Sequence, residues 1–147
     1  MKKLSMLGAC CFLIVIAGFA QKATVFNSSG KAIHGYDVVA FFTDSSAVKG
    51  NQEFTYTWQN TNWLFANKEH LDAFKTAPEK YAPQYGGYCA YGTSEGHKAP
   101  TEIDTWTIVG HKLYFNYNKK VQGFWLKDQQ QLIKKADKIW PEIKNQE

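Results

Sequence analysis

Beyond residue 20 the chain contains one cysteine, Cys89. A lone thiol excludes any disulfide within that part of the chain, so whatever it folds into must be held by packing and hydrogen bonds alone. The constraint is strict because the amino terminus reads as an export signal. Lys2 and Lys3 form a short basic start, Leu4 to Phe19 carries no charge, and Gly18-Phe19-Ala20 places small residues where a signal peptidase inspects them. The apolar run falls short of the ~20 residues of a spanning helix, which favours cleavage after Ala20 over an anchor. Leu7-Gly8-Ala9-Cys10 looks like a lipoprotein box but comes too early, since most of the apolar stretch follows Cys10. The expectation is an exported protein, periplasmic or extracellular, with no membrane association in the mature form unless the signal is retained. Cleavage removes Cys10, Cys11, Lys2 and Lys3, leaves 127 of the 147 residues and lowers the formal charge from +4 to +2.

Residues 21–147 are then expected to form one domain. Aromatic residues make up 16% of the chain, enough large rings to build a core where disulfides are absent. All 17 basic residues are Lys and they are dispersed, so the guanidinium fork that suits bases and phosphates is missing and nucleic-acid binding is not expected.

The patterning predicts an α+β domain: a small antiparallel sheet of hairpins packed with helices, including a carboxyl-terminal helix. Ala23 to Asn27 reads as a first strand, with turn chemistry in Asn27-Ser28-Ser29-Gly30. Val38 to Phe42 is a continuous apolar run that should be buried. Phe54, Tyr56 and Trp58 alternate with Thr55 and Thr57, and Trp63-Leu64-Phe65 returns as a hairpin partner. Asn67 is placed to cap a helix carrying Leu71 and Phe74, which Pro78 should stop. Trp106 to Val109 and Lys112 to Asn116 flank Gly110-His111 as a second hairpin. Val121, Phe124 and Trp125 form one apolar stripe. Asp128 is placed to cap a longer helix with Leu132, Ile133, Ala136, Ile139 and Trp140 on one face, expected to end at Pro141.

Several segments together resemble the YHS domain family, in its exported stand-alone subgroup. They are Ala32-Ile33-His34-Gly35-Tyr36-Asp37-Val38-Val39-Ala40-Phe41-Phe42, Phe65-Ala66-Asn67-Lys68-Glu69-His70-Leu71-Asp72-Ala73-Phe74, the stretch from Pro78 to Tyr91, Trp106-Thr107-Ile108-Val109, and Leu113-Tyr114-Phe115-Asn116-Tyr117-Asn118. The resemblance spans about residues 30 to 142 and implies a small domain similar to metal-binding domains found beside heavy-metal pumps. Metal-binding versions carry a Cys after an Asp-Pro-Val stretch and a further pair across a strand-to-helix junction. Here Asp37-Val38-Val39-Ala40 has no thiol, Ala66 stands at one junction position, and His70 stands at the other as a residue able to bind metal.

Candidate chemistry centres on Cys89, in Tyr85-Gly86-Gly87-Tyr88-Cys89-Ala90-Tyr91-Gly92. Paired glycines permit unusual backbone angles and the close approach of another group. A lone thiol is either a small buried hydrophobe, a soft-metal ligand or a redox or nucleophilic group. Cys89 with His34 or His97 would make a site for copper, or an incomplete one for zinc. His70, one helical turn before Phe74, reads as a packing or capping residue, and His111 as a solvated turn residue. Neither Gly-x-Ser-x-Gly nor His-Glu-x-x-His occurs, so a catalytic role rests on a Cys89–His–Asp37 thiol arrangement alone. Tyr36, Trp58, Trp63, Tyr88, Tyr91, Trp106 and Tyr114 furnish either a core or a ligand pocket. The readings carried forward are a non-enzymatic binding domain for a transition metal, a metal-free module taking a small molecule or protein in an aromatic pocket, and a thiol-dependent enzyme.

Overall fold

A computed structural model describes residues 23–146. The signal-peptide reading, with Cys10 and Cys11, lies outside the described residues. Among the described residues no helix is long and apolar enough to cross a membrane.

The alternation in β3 (Asn51–Trp58) sets Phe54, Tyr56 and Trp58 on its half-buried face and polar residues on the other, as period two requires. A two-residue turn at Gln59 and Asn60, both left-handed (φ 49° and 56°), returns the chain into β4 (Thr61–Phe65). The expected hairpin forms, with Tyr56 opposite Trp63 and Trp58 opposite Thr61. The first strand differs from expectation: β1 (Asn27–Ser28) starts where the Ala23–Asn27 strand was to end, and pairs with β2 (Lys31–Ala32) around Ser29 and Gly30. Thr24 and Val25 are instead drawn against the Gly86 turn, where Phe26 N–H donates to the Gly86 carbonyl at 2.8 Å. The four strands run β1-β2-β4-β3, antiparallel except for a single β2–β4 register pair, Lys31 with Asn62, which is parallel. The second hairpin, β5 (Thr107–Val109) with β6 (Lys112–Tyr114), forms a separate two-stranded sheet.

Val38, Val39, Ala40 and Phe41 are sealed from solvent as their apolar run demands, and the run feeds a short helix α1 (Ala40–Thr43). Asn67 caps α2 (Lys68–Thr76), its side chain accepting from the His70 N–H at 2.8 Å. Pro78 does more than stop that helix. It opens α3 (Pro78–Tyr81), since a proline at the first helical position gives up an N–H that would be unpaired there anyway. A turn over Gln84–Gly87 leads to Cys89 and α4 (Ala90–Ser94). Two helices follow, α5 (Lys119–Lys127), capped by the Asn118 side chain, and α6 (Gln129–Ile143), which Asp128 precedes without the expected side-chain capping hydrogen bond. Pro141 lies inside α6 rather than at its end; it removes only the i+4 donor of the Asp137 carbonyl, a loss tolerable at a surface position.

Two apolar clusters result. The first joins the main sheet to α2 through Trp63, Phe65, Phe74, Phe41 and Phe115. The second packs α6 onto Tyr85, Ala90, Tyr114, Trp125 and Ala136. The apolar stripe expected on α5 is only partly buried: Trp125 is fully enclosed, while Phe124 is 44% exposed.

Candidate functional site

Three groups of side chains carry chemistry. The first is Cys89, which is 1% exposed. Its sulfur stands in for the usual Ser or Asp cap of α4, accepting the Gly92 N–H at 3.4 Å and the Tyr117 N–H at 3.2 Å. Its thiol hydrogen points to Asn116 Oδ1 at 3.7 Å. The backbone on both sides is tied down as well, with Cys89 N–H to the Ala99 carbonyl at 3.0 Å and Thr93 N–H to the Cys89 carbonyl at 2.8 Å. Burial pushes the thiol above its ordinary value, and the three backbone amides that favour the thiolate (Gly92, Tyr117 and Tyr91) do not offset it. Beneath lies a polar brace. Thr105, fully buried, accepts the Asn116 N–H at 2.8 Å, and its single hydroxyl proton is shared between the Glu102 and Asn116 carbonyls at 2.6 and 2.8 Å.

His34 is exposed and left-handed (φ 54°), with Nε2 2.7 Å from the Thr101 carbonyl and its ring edge-on to Phe26. His97 is exposed; its loop does fold back toward the Cys89 helix, since its N–H donates to the Gly92 carbonyl at 3.1 Å. Among the described residues no group of three or more His, Cys, Asp or Glu is arranged to hold a metal ion. His111 sits exposed in the β5–β6 turn.

The second group joins Asp37 and His70, each singled out in the sequence but not as a pair. Asp37 is fully buried, and its carboxylate accepts four hydrogen bonds: Oδ1 from the Val39 and Ala40 N–H groups, Oδ2 from the Ala66 N–H at 2.8 Å and from His70 Nδ1 at 2.6 Å. The far nitrogen of His70 lies 3.3 Å from Thr43 Oγ1. Thus Ala66 and His70, at the junction between β4 and α2, converge on one carboxylate that ties α1 to α2. Asp37 and His70 are 33 residues apart, a pairing that no local spacing announces. In this fold Asp37 is engaged by His70 and not by the thiol.

The third group is a cleft of about 320 Å³ between the two apolar clusters. Trp58, Trp63, Tyr85 and Trp140 supply its rings, and Glu79, Asp137 and Lys144 its charges. Two of these rings, Trp58 and Trp63, belong to the aromatic set singled out in the sequence; Tyr85 and Trp140 do not. The other five lie outside its lining: Trp106 packs on Phe41, Tyr114 on Trp125, Tyr88 on Trp140 and Tyr91 against the second cluster, and Tyr36 lies beneath the Lys49 ammonium.

The wall of the cleft is built by an uncommon backbone. Tyr85, Gly86 and Gly87 are left-handed in succession (φ 55°, 61° and 84°). The two glycines do permit a close approach, and the approaching groups are the chain's own. A Cβ on Gly86 would stand 1.9 Å from the Thr24 carbonyl, and one on Gly87 2.3 Å from Ile33 Cδ1. A tyrosine in this region is strained by roughly 1 kcal/mol or more, a cost met by surrounding packing. Here the strain sets the ring between Tyr114 and Trp140, at centroid separations of 5.9 and 6.0 Å. The Tyr85 hydroxyl donates to Asp137 Oδ1 at 2.9 Å. Burial first, then that carboxylate, holds the phenol protonated far above its ordinary range.

No family model, no curated protein and no solved structure matches this chain.

Proposed function

We propose that the chain is an exported binding domain of the YHS type, without catalytic activity, and that it takes a small organic molecule in the aromatic cleft. The support for the YHS assignment is the collinear run of motifs from Ala32 to Asn118 together with the α+β fold. The observation that carries the binding reading is the cleft itself. It has room for a small ligand, and the half-buried rings of Trp58 and Trp140 stand in its lining beside charged and polar groups, with Trp63 and Tyr85 buried behind them. The strained Tyr85 backbone adds weight, because strain of this kind gathers at ligand sites.

Copper or zinc bound through Cys89, His34 and His97 is the competing reading, and one experiment separates the two. The melting temperature of wild type and Cys89→Ala would be followed against Cu(I) under reducing conditions, Zn(II), and a set of small amphiphilic organic compounds. A ligand at a hundredfold its Kd adds about 2.7 kcal/mol of stability. The expected result is an organic compound that raises both melting temperatures equally and perturbs tryptophan fluorescence. A metal ion that stabilises wild type but not Cys89→Ala would overturn the proposal.

A further inference from the structure

Resting on the cleft as the binding site, we infer that its ligands are small organic ammonium ions. The first argument is charge. The whole chain is formally +4, yet the lining of the cleft carries two carboxylates, Glu79 and Asp137, against one ammonium, Lys144. Neither carboxylate has a cationic side chain within 4.0 Å among the described residues, although Lys144 shares the lining. Exposed Glu53, Glu69, Glu102, Asp104, Asp128 and Glu142 are equally without one among the described residues, so it is the net negative lining, and not the lack of pairing, that favours a cation.

The second argument is the rings. The faces of Trp and Tyr carry negative electrostatic potential and attract cations, with Trp the strongest, while they repel anions. Trp58 and Trp140 are half-buried, so their faces are partly desolvated without being closed off.

The test uses three probes of nearly equal size and different charge: tetramethylammonium, tert-butanol and pivalate. Each is titrated into the purified protein while the indole N–H resonances of Trp58 and Trp140 are followed by NMR. Tetramethylammonium should shift both resonances saturably and bind roughly fivefold or more tightly than tert-butanol. Asp137→Asn preserves an acceptor for the Tyr85 hydroxyl and removes only the charge; it should weaken the cation roughly threefold and leave tert-butanol unchanged. Trp140→Leu should weaken it roughly fivefold. If tert-butanol or pivalate shifts the same resonances with equal or greater affinity, the preference for cations is refuted while the cleft survives as a binding site. If neither these probes nor any stabilising organic compound moves these resonances, the cleft reading falls along with the inference.

Discussion

Cys89 and Tyr85 are four residues apart, and their polar atoms have opposite surroundings. The Cys89 sulfur is enclosed, and its contacts close on the chain's own amides and on Asn116. The Tyr85 hydroxyl reaches a carboxylate that is itself exposed at the edge of a cleft and has no cationic partner among the described residues. A group whose bonding capacity is met internally holds the fold together. A group whose partners retain unmet capacity toward an open space is available to a ligand. On this contrast the thiol belongs to the scaffold, although Asn116 beside it keeps a buried Nδ2 without a partner among the described residues, and the cleft is the site proposed for binding.

The strongest way to break this contrast is through the brace under Cys89. Thr105→Val keeps the shape but deletes the one hydroxyl proton shared between the Glu102 and Asn116 carbonyls and the acceptor of the buried Asn116 N–H. The expected loss is about 2–3 kcal/mol in urea unfolding. A loss under about 1 kcal/mol would show that the region is not a sealed scaffold.

The next test addresses the thiol. Cys89→Ala should cost about 1–2 kcal/mol and leave ligand binding at the cleft untouched. Native Cys89 should alkylate slowly at pH 7 and rapidly in urea; rapid native alkylation would place it in an open site. Its pH dependence has a definite sign. The folded thiol titrates above its ordinary value of 9.0, so the native state holds its proton more tightly than the unfolded chain. That contribution is complete below pH 9.0 and is lost as pH rises through the folded value. Wild type should therefore lose stability in alkali more steeply than Cys89→Ala. Both retain the parallel contributions of Tyr85, Tyr88 and Tyr114, the last pushed up to about 12 by burial and then by the Asp137 charge.

The smallest effect is expected at the cleft itself. Tyr85→Phe deletes one hydrogen bond to an exposed carboxylate and should change stability by about 1 kcal/mol or less, because Asp137 is rehydrated at once. A loss of about 3 kcal/mol would make Tyr85 a scaffold residue like Thr105 and would dissolve the distinction between the two regions.

Both hairpins were legible in the sequence, because period-two alternation around short polar turns is a local signal. So was the Asn67 cap, whose hydrogen bond spans three residues. The first strand was misplaced because its partner contacts are not local: Thr24 and Val25 are held by a glycine turn some sixty residues further on. Cys89 stood out as the lone thiol, and its glycines as sites of close approach. What approached them, the chain itself, was not legible. Trp140 was visible as part of a helical stripe, yet only the docking of α6 against Tyr85 makes it a wall of the cleft.

By itself, the sequence determined the α+β class, the two hairpins, and the need to build a core from rings without a disulfide beyond residue 20. These follow from residue type and short-range periodicity. Tertiary structure alone decided that Asp37 would meet His70, that the Cys89 sulfur would cap a helix, and that Glu79 and Asp137 would share a cleft with four aromatic rings. Each of those depends on groups far apart along the chain being brought together by the packing of the two apolar clusters, and no local pattern encodes such an encounter.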